Sequence, residues 1–461
     1  LTYDLDRRGK LARYDYLYRC IREDILAGRL TAGEKLPSTR SLASHLQTAV
    51  ITVQNAYAQL EAEGYLYTRE KRGYYVADVE RHPAAPGRAP ARSAPQPQRS
   101  WLLDLSSGGS GTEDFPFSVW AKLMRRVLSE EGEALLRATP PNGADALRRA
   151  IAQHLYRFRG ISAAPEQIVV GAGTEYLYNL IVQLLGREAV YGVEDPGYSK
   201  AARIYALGGA RTAPVLVDEG GVSLRSLEMS DAQILHTSPN HQFPTGAVTP
   251  IGRRQSLLRW AEAREGRYII EDDYDSEFRF TLRPIPTLQS IDRAGRVIYV
   301  NTFSRTLAPS LRISYMVLPK SLTERYRAQL GFYSSTVPAM EQYTLARFLD
   351  EGYFEAHINR MRKSYRAQRD AVIDTILQSP LGEHCRVSGE DAGLHFLLTI
   401  DTKCTDHVLR ADAEGRGVRL SFLSDFALRP GSAPQHTLVV NYPGIDLAHL
   451  DVALNILNSL L

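Results

Sequence analysis

A segment rich in proline, alanine and arginine divides this chain of 461 residues and most constrains how it can fold. The segment, ERHPAAPGRAPARSAPQPQRS, spans residues 80–100 and has almost no large apolar side chains. Such composition forms neither long helices nor strands and is typical of extended, semi-rigid linkers. A structureless loop of this length is rare inside one compact domain. We therefore predict two domains, residues 1–79 and 101–461, joined by a basic linker.

Composition is that of an ordinary globular protein. Apolar residues make up 44% of the chain, charged residues 23%, and the formal net charge is +3. This charge excludes a generally polybasic protein but allows a local basic face. Cys20, Cys385 and Cys404 are far apart and form no CxxC pair, so neither disulfides nor a zinc site is expected. No apolar run reaches the ~20 residues of a membrane span, and no signal peptide is recognisable, so we expect a cytoplasmic protein.

The residues before the linker are patterned as three helices followed by a strand hairpin. Apolar residues recur at helical spacing in YDYLYRCIREDILAG, in KLPSTRSLASHLQ and in ITVQNAYAQLEAEGYL. The predicted core positions are Leu17, Ile21, Ile25, Leu42, Leu46, Val53, Tyr57 and Leu60. The next stretch, YLYTREKRGYYVA, reads as two strands that turn at Lys71, Arg72 and Gly73. This order predicts a winged helix-turn-helix, which places one helix in the major groove of DNA.

This first part resembles the GntR-type DNA-binding domain closely. The shared residues include Gly28-Arg29-Leu30, Leu36-Pro37-Ser38-Thr39-Arg40, Thr52-Val53 and Arg72-Gly73. The resemblance implies that Arg40 contacts DNA, that Thr52 lies at the recognition helix, and that Arg72 and Gly73 form the wing tip. Plain surface exposure is the alternative for both arginines. Ala49-Val50 replaces the family's usual Ser-Arg at the start of the recognition helix, which argues against tight, conventional operator binding.

From Trp101 onward, short apolar strands alternate with helices, and each strand ends in a polar turn. The strands lie in QIVVGAGTEYLYNL, AVYGVEDPGYS, AQILHTSPNHQFPTG, RYIIEDDYDSEF and RVIYVNTFS. The pattern predicts an α/β fold with a mostly parallel sheet between two layers of helices. Sheets of this kind bind ligands at the carboxyl ends of their strands. We therefore expect the polar turns to converge on one pocket.

Some of these turns suit a phosphate group. Gly173 and Thr174, in GAGTEYL, supply main-chain N–H groups and a hydroxyl at the start of a helix. Thr302, Ser304 and Arg312, in the loop TFSRTLAPSLR, would add hydroxyls and a guanidinium to the same site.

Other turns suit a flat heteroaromatic ring. Asp272 follows a buried strand and could pair with a ring nitrogen. Tyr274 could donate to a phenolate oxygen, and Tyr198 could stack on the ring. Together with the phosphate groups, these residues describe a pocket for pyridoxal phosphate. Glu271 and Asp273 flank Asp272, and the residues alone leave open which of the three acids faces the ring while the others face solvent or backbone.

The part from about Trp101 to Leu461 resembles a fold-type I aminotransferase, and the whole chain resembles the MocR/GabR family of transcriptional regulators. The motifs that carry the resemblance include VEDPGY, HQFPTG, IIEDDYDSEF, TFSRTLAPSLRISYMVLP, EGYFEAHINRMRKSYRAQRD and AGLHF. It implies that Asp272 meets the pyridine nitrogen and Tyr274 the ring hydroxyl. It also implies that Tyr198 stacks on the ring, that Arg312 holds the phosphate, and that the protein is a head-to-tail homodimer.

The chain departs from the family at the Schiff-base lysine, whose position is occupied by Arg305. A lysine amine can lose its proton and attack an aldehyde, whereas a guanidinium, with a pKa above ~12, stays protonated. Pyridoxal phosphate is therefore expected to bind non-covalently, if it binds at all, and without transamination. Val439, where many aminotransferases have a carboxylate-binding arginine, and Phe243, where they usually have asparagine, also point away from catalysis.

These observations predict a transcriptional regulator that binds a double-stranded DNA operator and senses pyridoxal phosphate or a related small effector. Two alternatives stay open: an active aminotransferase that carries a DNA-binding domain, and a degenerate ligand-binding protein that does not use pyridoxal phosphate. Lys200 and His395 are further candidates for the effector pocket. The alternatives for them are surface exposure and a place in the core, respectively.

Overall fold

The computed structural model describes residues 1–9, 11–69, 72–79, 101–106, 115–280, 285–391 and 393–461. Contacts within the chain separate two compact units, Leu1–Gln98 and Arg99–Leu461. The predicted linker, residues 80–100, and Lys71 of the predicted turn lie outside the described residues.

The first unit, in its described part, has three α-helices and a strand hairpin. These are α1 (Arg13–Leu26), α2 (Thr39–His45), α3 (Val50–Ala62), β1 (Leu66–Arg69) and β2 (Gly73–Val76). The strands pair antiparallel, with Leu66 opposite Val76. The predicted winged helix-turn-helix is confirmed.

Apolar residues at helical spacing hold this small unit together. Leu17 and Ile21 of α1 and Val53 and Tyr57 of α3 are fully buried in one cluster. Burying a side chain of this size stabilises a fold by roughly 1.5–3 kcal/mol. Leu46, also expected in this core, is the half-buried cap residue that follows α2, and it packs against the same cluster.

The second unit is built on a mixed sheet flanked by helices. The strands described in this unit, which form the mixed sheet and two smaller sheets, are β3 (Leu103–Asp104), β4 (Ile168–Gly171), β5 (Val190–Asp195), β6 (Arg211–Asp218), β7 (Gly221–Val222), β8 (Ile234–Thr237), β9 (Tyr268–Asp272), β10 (Val297–Thr302), β11 (Ser314–Val317), β12 (Cys385–Ser388), β13 (His395–Ile400), β14 (Val418–Arg419) and β15 (Thr437–Asn441). Its helices are α4 (Phe117–Glu131), α5 (Asp145–Arg159), α6 (Thr174–Leu185), α7 (Ser199–Leu207), α8 (Leu224–Met229), α9 (Ile251–Glu262), α10 (Leu288–Ile291), α11 (Lys320–Leu330), α12 (Ala339–Asp350), α13 (Tyr353–Gln378), α14 (Asp406–Gly415) and α15 (Leu447–Asn458).

The main sheet has the strand order β4-β11-β10-β9-β8-β5-β6-β7. The central strands β10, β9, β8, β5 and β6 run parallel to their neighbours in this series. β11 pairs antiparallel with both β10 and β4, and β7 pairs antiparallel with β6. β11 reverses because only the short loop 303–313 joins it to β10, too short for the helical crossover that parallel strands need. The predicted mostly parallel sheet is confirmed.

Successive side chains along each strand point to opposite faces of the sheet, and both faces are apolar. Val170 of β4 and Tyr299 of β10 pack into one cluster with α5, α12 and α13. Their neighbours Val169 and Val300 pack into a second cluster with α6, α7 and α11. Burial on both faces fixes the register, because a shift by one residue would exchange the two sets. In the described part of the chain, no helix is both long enough and apolar enough to cross a membrane.

Candidate functional site

The carboxyl ends of the parallel strands surround a cavity of about 350 Å³. It is lined by turns that follow β4, β5, β9 and β10, as expected for ligand sites of open α/β sheets. The cavity brings together all the residues predicted to bind a cofactor: Gly173, Thr174, Tyr198, Asp272, Tyr274, Thr302, Ser304, Arg305 and Arg312.

One part of the cavity is arranged to attract an anion. Gly173 has a φ of 97°, and Thr174 begins α6 directly after it. L side chains rarely adopt this φ, and a Cβ at position 173 would lie 2.5 Å from Nη2 of Arg312, so both the backbone and the close guanidinium favour glycine here. Arg312 itself has a φ of 52°, a left-handed conformation that few non-glycine residues adopt. The guanidinium and the N-terminus of α6 thus lie side by side.

Glu175, which the sequence reasoning missed, lies among these cations. Its Oε2 accepts a hydrogen bond from Nη2 of Arg312 at 3.3 Å, and its Oε1 lies 3.7 Å from Nζ of Lys200. Lys200 lines the cavity although its side chain is 62% exposed. The only sequence signal for Glu175 was its place in the first turn of α6, next to Thr174.

Thr302 lines the cavity, but its hydroxyl serves the loop that follows β10. Its Oγ1 accepts a hydrogen bond from the N–H of Ser304 at 3.1 Å and lies 2.7 Å from Oγ of Ser314. Thr302 therefore shapes the loop, while Ser304 and Arg305 line the cavity.

A buried acid in the cavity has one unpaired oxygen. Asp272 is 6% exposed, and its Oδ2 accepts a hydrogen bond from the hydroxyl of Tyr178 at 2.5 Å. His236 lies 3.4 Å from the same oxygen. Oδ1 is buried and has no hydrogen-bond partner among the described residues. A buried acceptor without a donor is costly, so this oxygen suits a ligand N–H. Tyr178 could have been found from sequence, because it lies one helical turn after Thr174.

The two acids beside Asp272 face away from the cavity. Side chains alternate along β9, so Glu271 and Asp273 lie on the opposite face. Glu271 accepts hydrogen bonds from two main-chain N–H groups of α10, both at 2.9 Å. Asp273 forms a buried ion pair with Arg159 at 2.5 Å and accepts a hydrogen bond from Tyr299 at 2.6 Å. The two acids that do not face the cavity were expected to face solvent or backbone. Neither faces solvent, and only the side chain of Glu271 is hydrogen-bonded to the backbone.

A histidine and a carboxylate orient the hydroxyl of Tyr274. Nδ1 of His241 lies 2.8 Å from Oδ2 of Asp275 and 3.1 Å from the Tyr274 oxygen. Because a carboxylate accepts hydrogen bonds, Nδ1 carries the proton, and the tyrosine oxygen can only accept from it. The Tyr274 proton is then available to a ligand in the cavity. Burial and the charge of Asp275 raise the pKa of Tyr274 well above its usual range, so the phenol stays protonated.

Phe243 lines the cavity and packs against a cluster of apolar side chains behind it. The ring of Phe243 lies 6.4 Å from that of Tyr198 and 4.8 Å from that of Phe426. Val439 packs in the same apolar cluster as Phe243 and Phe426. Position 439, where many aminotransferases have a carboxylate-binding arginine, therefore lies in an apolar cluster. Burial, with a smaller contribution from Asp272, raises the pKa of Tyr198 to about 12.

His395 is a core residue and does not line the cavity. Its Nε2 donates a hydrogen bond to the main-chain oxygen of Pro244 at 3.0 Å. Burial, together with the neighbouring His241, lowers the pKa of His395 to about 3. Possible metal-ligand atoms of His241, Asp275 and His395 lie within 4.8 Å of one another. Nδ1 of His241 is hydrogen-bonded to Asp275, and the rings of His241 and His395 are in contact, with centroids 4.8 Å apart.

Arg305 places a fixed positive charge inside the cavity. It lines the cavity directly after Ser304, and its charge opposes the rise in pKa of both Tyr198 and Tyr274. A guanidinium remains protonated at any physiological pH and is not a nucleophile towards aldehydes.

Comparison with known proteins assigns both units. Residues 13–76 match the family model described as bacterial regulatory proteins, gntR family, and residues 102–412 match aminotransferase class I and II. The chain is 38% identical to the uncharacterized HTH-type transcriptional regulator YdeL of Bacillus subtilis, over 91% of both chains. It is 35% identical to the probable rhizopine catabolism regulatory protein MocR of Rhizobium meliloti, over 99% of this chain and 95% of the relative.

The chain belongs to the MocR-type transcriptional regulators. It is also 34% identical to the HTH-type pyridoxine biosynthesis transcriptional regulator PdxR of Corynebacterium glutamicum, over 88% of this chain and 87% of that protein. A MocR-type regulator binds DNA through its winged helix and carries an aminotransferase-like unit.

Solved aminotransferases confirm the fold of the large unit. Kynurenine aminotransferase of Pyrococcus horikoshii aligns with a TM-score of 0.69 and 22% identity, over 79% of this chain and 91% of that chain. LysN, the α-aminoadipate aminotransferase of Thermus thermophilus complexed with N-(5'-phosphopyridoxyl)-L-leucine, aligns with a TM-score of 0.67 and 26% identity, over 77% of this chain and 91% of that chain. The aminotransferase fold family usually binds pyridoxal phosphate.

The residues predicted to contact DNA lie on the first unit of this MocR-type regulator. Arg40 is exposed on α2, and Arg72 is exposed directly before β2. Gly73 begins β2 with a φ of 101°, which allows the turn of the wing. Thr52 is half-buried in the first turn of α3, directly after the exposed Val50 and Ile51.

Proposed function

We propose that this MocR-type regulator binds pyridoxal phosphate, or a closely related phosphorylated pyridine, without a covalent bond, and that the ligand alters operator binding. The observation that carries the proposal is the unpaired, buried Oδ1 of Asp272 in the same cavity as Arg312 and the N-terminus of α6. One site thus offers an acceptor for a ring N–H and cations for a phosphate.

Each cavity residue fits one part of such a ligand. Oδ1 of Asp272 would accept a hydrogen bond from the pyridine nitrogen, and Tyr274 would donate to the ring oxygen. Tyr198 would cover the ring, while Thr174 and Arg312 would hold the phosphate. Ser304 would add a hydroxyl to the phosphate site. When bound, pyridoxal phosphate supplies an aldehyde on an electron-withdrawing ring.

Arg305 supports the role of a sensor over that of an enzyme. Attack on an aldehyde needs an unprotonated amine, and proton transfer in transamination needs a group that gains and loses protons near neutral pH. A guanidinium does neither. Val439 and Phe243, which stand where aminotransferases usually have an arginine and an asparagine, lie together in an apolar cluster. The name of the relative PdxR, which refers to pyridoxine biosynthesis, is consistent with a ligand of this class.

We also propose that the protein acts in the cytoplasm as a head-to-tail homodimer, each winged helix lying against the partner's large unit. This arrangement rests on the family resemblance. Light scattering coupled to gel filtration would give twice the chain mass, and a monomer at micromolar concentration would contradict it.

Calorimetric titration with pyridoxal phosphate tests the proposed site. Asp272→Asn removes the charged acceptor and should weaken binding about ten- to a hundredfold, because hydrogen bonds to charged groups contribute roughly 1.5–3 kcal/mol. Glu228→Gln, at an exposed acid of α8, should change nothing. Operator affinity, measured by fluorescence anisotropy, should depend on pyridoxal phosphate in the wild type and in Glu228→Gln, whereas Asp272→Asn should need a higher ligand concentration for the same effect. Absence of binding, or equal binding by wild type and Asp272→Asn, would contradict the proposed site.

A further inference from the structure

The first turn of α3 exposes apolar side chains where a DNA-reading helix meets base edges. Val50 is 38% exposed and Ile51 60% exposed. In a helix-turn-helix, the N-terminal residues of the second helix contact the bases. Other apolar residues of α3, such as Val53 and Leu60, are fully buried. The exposed large apolar side chains of α3 therefore lie in the turn that would enter the major groove.

The exposed face of α3 carries polar, uncharged side chains one turn later, and a charged residue, Glu61, near its C-terminal end. Gln54 and Asn55 follow one turn later and are exposed. No lysine or arginine occurs between Val50 and Ala62. Guanine is most often read by arginine or lysine, adenine by asparagine or glutamine, and the thymine methyl group by apolar contact. The residue types on this face therefore match A·T pairs.

We propose that α3 reads thymine methyl groups through Val50 and Ile51, and adenine edges through Gln54 or Asn55. The base pairs facing α3 are then A·T pairs. The exposed Arg40 of α2 supplies phosphate contacts or a guanine contact from outside α3. This inference concerns the DNA-binding unit and is independent of the proposed ligand.

Deoxyuridine tests this inference, because it differs from thymidine only by the missing methyl group of the base. The best-bound duplex is first selected from a random library with the full-length protein. Each thymine is then replaced in turn by deoxyuridine. At the contacted positions we expect a three- to fivefold loss of affinity, since burying one methyl-sized group contributes about 0.8 kcal/mol.

A variant links this loss to the named side chain. Ile51→Ala should remove the difference between thymine and deoxyuridine at one contacted position, and Val50→Ala should remove it at another. Both residues are exposed, so unfolding temperatures should stay unchanged. Leu26→Ala, at a leucine of α1 that is 40% exposed, is a matched control and should keep the full preference for thymine.

Three outcomes would overturn the inference. The first is selected sites that show guanine in place of A·T pairs opposite α3, or no enriched sequence. The second is equal binding of thymine and deoxyuridine at every position. The third is an undiminished thymine preference in the double variant Val50→Ala/Ile51→Ala.

Discussion

Glu175 places a carboxylate among the cations that would hold a phosphate. It accepts a hydrogen bond from Arg312 at 3.3 Å and lies 3.7 Å from Lys200. A bound phosphate would share these cations with Glu175 and would be repelled by its charge. The side chains of all three residues are between 44% and 62% exposed, so water and salt screen the effect.

Removing the charge of Glu175 should strengthen phosphate binding. For Glu175→Gln we expect about three- to tenfold tighter binding of pyridoxal phosphate, with a steeper dependence on salt, because the site then carries one more net positive charge. Pyridoxal, which lacks the phosphate, should bind wild type and variant equally. Calorimetry at two ionic strengths measures the affinity for each ligand and its salt dependence, with Glu228→Gln as the control. Unchanged affinity for pyridoxal phosphate would show that Glu175 does not act on the phosphate.

His395 should make the large unit sensitive to acid. Burial beside His241 and Arg305 lowers its pKa to about 3, against about 6.5 in an unfolded chain. Between these values the unfolded state binds more protons, so the contribution is present above pH 6.5 and is lost as the pH falls towards 3. The loss is about 1.4 kcal/mol per pH unit. Urea unfolding between pH 7.5 and 5 should show a shallower pH dependence in His395→Gln. If the free energy of unfolding depended on pH equally in wild type and His395→Gln, the acid sensitivity would come from residues other than His395.

At the scale of elements, a buried ion pair joins the end of α5 to the end of β9. The side chains of Arg159 and Asp273 are 9% and 1% exposed and lie 2.5 Å apart. Asp273 directly follows Asp272, so the same contact also steadies the strand end that carries the cavity acid. An uncompensated charge here would be far more costly than the loss of an exposed pair.

Breaking this pair from one side should destabilise the large unit strongly. Arg159→Met leaves the carboxylate of Asp273 buried without its partner, and we expect a loss of about 3–5 kcal/mol in the free energy of unfolding. The double variant Arg159→Met/Asp273→Asn removes both charges, keeps an amide oxygen that can accept the hydrogen bond of Tyr299, and should recover much of that loss. Urea unfolding of the wild type, the single variant and the double variant measures these differences in the free energy of unfolding. A double variant no more stable than Arg159→Met would contradict this account.

The sequence patterns predicted the helices and strands more accurately than they predicted the contacts between side chains. Apolar periodicity was sufficient for the helices of the first unit and the parallel strands of the second, because burial on a defined face repeats with the period of the element. The resemblance selected Asp272 from three adjacent acids, and alternation along β9 explains why its neighbours turn away. The contact of Glu175 with Arg312 joins residues 137 positions apart and depends on the left-handed backbone of Arg312. No local pattern encodes such a contact.

At the scale of the whole molecule, the proposed regulator couples two binding sites on different units. If pyridoxal phosphate changes operator affinity by a given factor, the operator must change pyridoxal phosphate affinity by the same factor. We expect a factor between about 5 and 150, which is typical of such coupling. The first factor is measured by titrating the operator with and without saturating pyridoxal phosphate. The second is measured by titrating pyridoxal phosphate with and without saturating operator DNA, at the same salt concentration. Unequal factors in the two titrations would show that the ligand does not act by a binding equilibrium.

The most direct test of the central claim compares wild type with Arg305→Lys. Both proteins are incubated with pyridoxal phosphate, treated with borohydride to reduce any bond between an amine and the aldehyde, dialysed and weighed by mass spectrometry. We predict that wild type binds the ligand reversibly and loses it on dialysis, whereas Arg305→Lys retains one ligand per chain, attached at residue 305. Retention at another residue of the wild type, or no binding by either protein, would contradict the claim that the cavity is a pyridoxal phosphate site in which Arg305 alone prevents attachment.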